Sequence, residues 1–248
     1  MCTLSWLSEE TGGYSVWFNR DEQKTRGPAR PPCVQERAGL AVIAPQDPDF
    51  GGTWIGVNEK GVAFCLANRY HETPPFIPPL RDRISRGLLL ASILDSCSRR
   101  EAADRIAAME LHRFQPFTVA SFEPGSPVLL LGWDGRNLAG VEHAAPGLVL
   151  TSSGLDQAAA ESSRREVFEA ALREARSYGP AVMRRIHRGH LPERGSTSVC
   201  MHRDDAETVS LSEICVEPGR VTFSYVAGSP CQSARPAVVS MRGPRIED

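Results

Sequence analysis

A cysteine at position 2, separated from a charged tetrapeptide by enough sequence for one β-hairpin, constrains this chain more than any other feature. A cysteine that becomes the N-terminal residue carries a thiol nucleophile and an amine base together. The α-amine titrates at about 7.7–8.0 and the thiol at about 8.5. Between Cys2 and Asn19 lie two apolar, β-favouring runs, Leu4-Ser5-Trp6-Leu7 and Tyr14-Ser15-Val16-Trp17-Phe18, broken by Thr11-Gly12-Gly13. The glycines suit a hairpin turn, and that hairpin returns Asn19-Arg20-Asp21-Glu22 to the side of Cys2. Later polar residues become site candidates if they complete the surroundings of this thiol.

The remaining bounds are ordinary. At 248 residues, 41% apolar and 23% charged, the chain can bury a sizeable core as a soluble globular protein. A net charge of −2 gives no reason to expect nucleic acid or an anionic membrane as the main partner. No run of 18 apolar residues is present, and the N-terminus lacks the basic and apolar regions of a secretory signal. The expectation is a cytoplasmic protein with no membrane span. Seven cysteines, at 2, 33, 65, 97, 200, 215 and 231, form no CxxC pair and no His/Cys ligand spacing. That predicts reduced thiols, with Cys65, Cys97, Cys200 and Cys215 in the core, and no metal site.

Along the chain, residues 23–50 are rich in proline and arginine around one short strand at 39–44. A second hairpin runs from Gly51-Gly52-Thr53-Trp54-Ile55-Gly56-Val57 through Asn58-Glu59-Lys60-Gly61 to Val62–Ala67, ending on Asn68-Arg69. Helical periodicity covers 81–96 and 99–109, the latter with Ser98 near its N-cap. Strands follow at 116–122, 127–132, 136–143 and 148–151, then helices at 158–177 and 180–188. A three-stranded meander at 197–201, 208–216 and 220–226 completes the pattern. This interleaving predicts one α+β domain over 1–233, with helices layered on largely antiparallel sheets. Residues 234–248 read as a loosely ordered tail.

Met1-Cys2-Thr3, Asn19-Arg20-Asp21-Glu22, Gly51-Gly52-Thr53-Trp54-Ile55-Gly56 and Ser85-Arg86-Gly87, in that order, resemble the NRDE family, also called the transport-and-Golgi-organisation family. The match covers roughly the first 90 residues well and continues through Leu150–Asp156 and 194–226. More distantly, Met1-Cys2-Thr3, the Arg20-Asp21 pair and Gly56–Gly61 followed by Leu66-Ala67-Asn68 are similar to the choloylglycine hydrolase and penicillin V acylase group. Those enzymes are N-terminal nucleophile hydrolases, which implies an αββα four-layer sandwich and cleavage of an amide or thioester of a small acyl-bearing molecule. The first family has been tied to haem trafficking and lipid or acyl-CoA homeostasis. It implies the alternative of a non-catalytic carrier, with haem as cargo rather than a resident cofactor.

Carried onto this sequence, the hydrolase resemblance implies that Cys2 attacks, its own amine moves the proton, Asp21 orients that amine and Arg20 holds the thiolate. Asn68 would donate to the oxyanion, and Arg194 is the candidate for a late supporting arginine. Asn19, Trp54 and Ser152 are the substrate-side candidates, although Trp54 also reads as core. Two departures stand out. Arg20 and Asp21 are adjacent, so a regular strand points them to opposite faces: both reach Cys2 only if the strand ends or bulges, or Asn19 takes one role. Ser152 stands where the hydrolases carry a second asparagine. Under the carrier reading, Cys2, His71 or His202 would be the ligand, or an apolar cleft roofed by Pro74–Pro79 would hold the cargo. The run His202-Arg203-Asp204-Asp205 offers groups for acid/base or metal chemistry, and reads preferentially as a solvated hairpin loop.

Overall fold

The computed structural model of this protein describes residues 2–9, 11–70, 79–143, 150–174, 179–232 and 235–246. The opening hairpin forms as its sequence dictates. Strands β1 (Cys2–Ser8) and β2 (Tyr14–Gln23) pair antiparallel around Gly12, whose φ of 76° lies in the region open mainly to glycine. Cys2, Leu4, Trp6, Tyr14, Val16 and Phe18 turn to one face and share one apolar cluster; Leu7 and Trp17 turn to the other and join a second. Both faces are buried, which explains why the hairpin is nearly continuous in apolar residues.

Around this pair a six-stranded sheet is built. β10 (Leu150–Ser152) lies beside β1, while β11 (Ala206–Glu217), β12 (Arg220–Ala227) and β13 (Ala237–Arg242) extend it beyond β2. The second sheet has seven strands in chain order: β3 (Arg30–Arg37), β4 (Leu40–Gln46), β5 (Ile55–Asn58), β6 (Ala63–Asn68), β7 (Phe117–Phe122), β8 (Val128–Trp133) and β9 (Leu138–His143). Between the sheets, Phe122 takes Trp6 edge-on at 5.7 Å and Tyr14 in a stack at 5.6 Å.

Helices cover both outer faces. α1 (Arg86–Ile93) and α2 (Arg99–Ala107) pack Leu90, Ile93 and Ile106 on Phe64, Leu66 and Phe117 of the second sheet. The side chain of Ser98 accepts from the Glu101 amide and caps α2 as expected. α3 (Gln157–Glu174) and α4 (Pro180–His187) set Phe168, Met183 and Ile186 against Trp17, Leu7 and Leu211 of the first sheet. The result is the expected αββα sandwich of antiparallel sheets.

Four sequence expectations give way. The stretch 30–37 is a strand despite Pro31 and Pro32. It lies at a sheet edge, where missing N–H groups cost no ladder bond, and its register breaks between Arg30 and Cys33. The segment 197–201 is not a strand, because its polar groups close locally: Ser198 Oγ donates to the carbonyls of Gly195 (2.9 Å) and Cys200 (2.7 Å). The third strand of the C-terminal meander is instead β13, inside the segment read as a tail; its short apolar run pairs with β12 from Ala237 to Arg242. Cys97 is exposed rather than core. Among the described residues no helix is long and apolar enough to cross a membrane.

Candidate active site

The register of β1 decides what surrounds Cys2. Cys2 pairs with Arg20 on β2 and with Ser152 on β10. Arg20 shares the inner face of the sheet with Cys2 and lies over the ring of Trp54, its Cζ 4.2 Å from the centroid. Arg20 Nη2 is also 3.1 Å from Glu22 Oε2 and 3.3 Å from Asp47 Oδ2; Arg26 binds the same two carboxylates. This network fixes the Arg20 guanidinium from three sides.

Asp21 faces the helical layer. Its Oδ1 accepts from Thr208 Oγ1 at 2.6 Å, and its Oδ2 lies 3.4 Å from Arg164 Nη2. Arg164 Nη1 donates further to Thr3 Oγ1 (2.7 Å) and to the carbonyl of Cys2 (3.4 Å). The antiparallel register carries Asp21 one step past the partner of Cys2, on the side of the Cys2 backbone nitrogen. Adjacent Arg20 and Asp21 therefore do point to opposite faces, yet both belong to the surroundings of one residue. β2 keeps its regular pairing with β1. The irregularity lies in its other neighbour, β11, which bulges between Thr208 and Ser210, opposite Asp21 and Arg20.

A cleft of about 430 Å³ opens over Cys2, with Arg20, Asp21, Trp54, Leu66, Asn68 and Arg86 among its walls. Burial pushes the Cys2 thiol up, reinforced by the Asp21 carboxylate and opposed by the Asp21 backbone N–H and by Arg20. A thiol held protonated needs a base before it can attack. Among the described residues lining the cleft there is no histidine and no lysine, and the carboxylates of Asp21, Glu22 and Asp47 are paired with arginines. Burial also pulls the Arg86 guanidinium down from its usual range, and its Nη1 donates to the carbonyl of Pro116 at 3.0 Å.

The other residues singled out in the sequence divide into two groups. Asn68 and Trp54 line the cleft. Asn68 Nδ2 donates to Tyr70 Oη at 3.1 Å. Ser152, Asn19 and Arg194 lie outside the cleft lining. The Ser152 hydroxyl donates to the Asn68 carbonyl at 2.6 Å, so it ties the two sheets together instead of facing a substrate. Asn19 is fully buried on the helical side, bonded to the carbonyls of His187 (2.8 Å) and Val199 (2.9 Å) and to His187 Nδ1. Arg194 is exposed and lies 3.3 Å from His202 Nδ1; the late arginine that reaches Asp21 is Arg164, from α3. The signal for Arg164 was present: Ala160, Arg164 and Phe168 form the buried stripe of that helix at i, i+4, i+8 spacing.

The carrier candidates do not converge. His202 sits between Cys200 and Cys231, away from the cleft, and not in a wholly solvated loop. His71 and Pro74–Pro78 lie outside the described residues.

Known structures share this architecture. A mutant of the conjugated bile acid hydrolase from Clostridium perfringens superimposes with a TM-score of 0.60 at 12% identity, over 97% of this chain and 92% of that one. The N-acylethanolamine-hydrolyzing acid amidase orthologue of Caenorhabditis elegans gives 0.60 at 12% identity, over 86% and 92%. Penicillin V acylase from Agrobacterium tumefaciens gives 0.58 at 12% identity, over 97% and 86%. At such identity the likeness establishes the N-terminal nucleophile hydrolase fold. No curated protein sequence matches the chain. The family model described as Transport and Golgi organisation 2 matches residues 1–184, and this protein belongs to that family.

Proposed function

We propose that this protein is a cysteine amidohydrolase that cleaves the amide or thioester of a small acyl-bearing molecule through an acyl-Cys2 intermediate. One observation carries the reading. A thiol pushed up by burial faces a cleft whose described lining offers no imidazole and no lysine, and Asp21, one residue beyond the β2 partner of Cys2, is fixed by Thr208 and Arg164. That arrangement suits a base that is the α-amine of Cys2 itself, freed by removal of whatever precedes it.

In this mechanism the α-amine accepts the thiol proton as Sγ bonds to the acyl carbonyl carbon. Asp21, fixed by Thr208 and Arg164, accepts a hydrogen bond from that amine and sets its lone pair. The carbonyl oxygen, now an oxyanion, takes a hydrogen bond from Asn68 Nδ2, held in place because Ser152 grips its main chain. Collapse breaks the bond to the leaving group, which departs with the proton from the α-ammonium. Water, deprotonated by the same amine, then releases the acid from Cys2. Arg20, held over Trp54 by Glu22 and Asp47, and Arg86 line the cleft with Cys2. The three similar structures, named as a hydrolase, an amidase and an acylase, support this class of reaction.

The test joins two measurements on protein from its own host. Intact mass is expected to show Cys2 as the first residue, and incubation with acyl-amide and acyl-thioester panels is expected to give turnover with a transient acyl adduct on Cys2. Turnover that survives Cys2→Ala in a folded variant overturns the reading. A blocked Cys2 amine, no turnover and a Soret shift on haem addition would replace it with a non-catalytic carrier.

A further inference from the structure

His190, Cys200, His202 and Cys231 are scattered over the last quarter of the chain, with none of the paired spacings that mark a metal site in sequence. The fold brings one ligand atom from each within 4.8 Å of the others. His202 Nε2 is 3.6 Å from Cys200 Sγ and 3.4 Å from Cys231 Sγ, and the rings of His190 and His202 are 5.1 Å apart. Tetrahedral zinc with Zn–S near 2.3 Å and Zn–N near 2.05 Å has ligand–ligand edges of about 3.5 Å between sulfur and nitrogen. The two sulfur–nitrogen separations match that edge. His190 Nε2 is buried and has no hydrogen-bond partner among the described residues, so a ring nitrogen sits there with nothing to bond. Glu207 Oε2 lies 3.7 Å from His202 Nδ1, the far side of the ring from the sulfurs, where a ligating imidazole usually finds its carboxylate.

We infer that these four side chains form a Cys₂His₂ structural site for a zinc-class divalent cation. Binding converts both thiols to thiolates, so two protons are released as one M²⁺ enters. The donor set of two thiolates and two imidazoles closes four-coordinate geometry with no position left for substrate, which makes the site structural rather than catalytic. On metal entry the His202 proton resides on Nδ1 and is accepted by Glu207, displacing the Arg194 contact on that nitrogen.

The position gives the metal something to hold. Residues 190–202 are not in a helix or strand, and the site pins both ends of this loop to the 230–232 turn. Met201, between two of the ligands, exchanges hydrogen bonds with Thr208: its N–H donates to Thr208 Oγ1 (2.7 Å) and its carbonyl accepts from the Thr208 N–H (2.8 Å). Thr208 Oγ1 is the group that holds Asp21. The cation would stiffen the support of Asp21 without entering the cleft, and the inference stands whether or not the cleft is catalytic.

The experiment is elemental analysis of the reduced, full-length protein after exposure to Zn²⁺ and removal of loose metal, followed by replacement with Co²⁺. One zinc per chain is expected, with Co²⁺ giving the thiolate charge-transfer and ligand-field bands of a tetrahedral S₂N₂ site. Cys231→Ser and, independently, His190→Gln should lose the metal, and a strong chelator should lower the melting temperature of the wild type but not of these two variants. Cys33→Ser and Cys97→Ser, at exposed positions elsewhere, should retain it. Wild-type protein that takes up no zinc and gives no tetrahedral Co²⁺ spectrum overturns the inference. So does a freshly isolated chain found with Cys200 and Cys231 joined as a disulfide.

Discussion

Arg164 and Asp21 meet with both side chains wholly enclosed, the guanidinium Nη2 3.4 Å from the carboxylate Oδ2. The same guanidinium reaches Thr3 Oγ1 and the carbonyl of Cys2, so one residue of α3 secures both strands that carry the site. Removing one partner of such a pair leaves the other charge buried and alone. Arg164→Met is expected to destabilise the fold by about 3–5 kcal/mol, read as a shift in urea midpoint at constant slope. Asp21→Asn should cost less, because an amide still satisfies Thr208.

The Asn68–Ser152 contact separates support from chemistry. Asn68→Ala should lower kcat/KM by roughly 10²–10³, the usual cost of losing an oxyanion donor, with little change in stability. Ser152→Ala removes the hydroxyl that grips the Asn68 carbonyl at 2.6 Å. It should cost about 1 kcal/mol of stability and only a modest part of the rate. Equal rate losses in the two variants would show that Ser152 acts on substrate directly.

His187 makes the fold acid-sensitive. It is fully buried between Ser5 Oγ (2.7 Å) and Asn19 Oδ1 (3.0 Å), and burial, helped by the Arg164 charge, lowers its pKa from 6.5 to about 3. The folded state holds this ring neutral while the unfolded chain protonates it, so the unfolded state binds more protons between those two values. Its contribution to stability is present above pH 6.5 and falls as pH drops towards 3, with a limiting slope of about 1.4 kcal/mol per pH unit. Denaturant titrations across that window should show the slope, and His187→Gln should flatten it.

Gly52 is where the loop bearing Trp54 meets the start of α1. A Cβ there would lie 2.4 Å from the Gly87 carbonyl carbon, and main chain cannot swing aside as a side chain does. The Thr53 N–H donates to the Gly87 carbonyl at 3.0 Å, fixing the approach. Gly52→Ala is expected to cost roughly 1–3 kcal/mol and to displace Trp54, loosening Arg20. Thermal melts and activity should fall together, whereas Gly51→Ala, with open space around its Cβ, should be limited to the strain of its φ of 71°.

Local pattern and local contacts explain what was legible. The hairpin was readable because its alternation and Gly12 agree, and it delivered Cys2, Arg20 and Asp21 to one place. Asn19 was misjudged because the polar tetrapeptide suggested a common destination, whereas the pleat buries Asn19 beside His187 on the far face. Arg164 and Arg194 were exchanged for a related reason: which late arginine reaches Asp21 depends on how α3 crosses the sheet, a contact spanning more than half the chain. β3 and β13 were hidden by prolines, which are informative about interior strands and much less so about edges. His190, Cys200, His202 and Cys231 carry no periodic signature, since a loop and a short 3-10 turn bring them together.

The bulge of β11 opposite Arg20 and Asp21 has a consequence for how such a protein diversifies. With β2 keeping its regular pairing to β1, two neighbouring residues, Arg20 and Asp21, reach the surroundings of one cysteine from different layers of the sandwich. Asp21 answers to α3 and Thr208, whereas Arg20 answers to Trp54 and Asp47. Selection can therefore rewrite what the cleft accepts without disturbing the apparatus that would make Cys2 reactive, or silence that apparatus and keep the cleft.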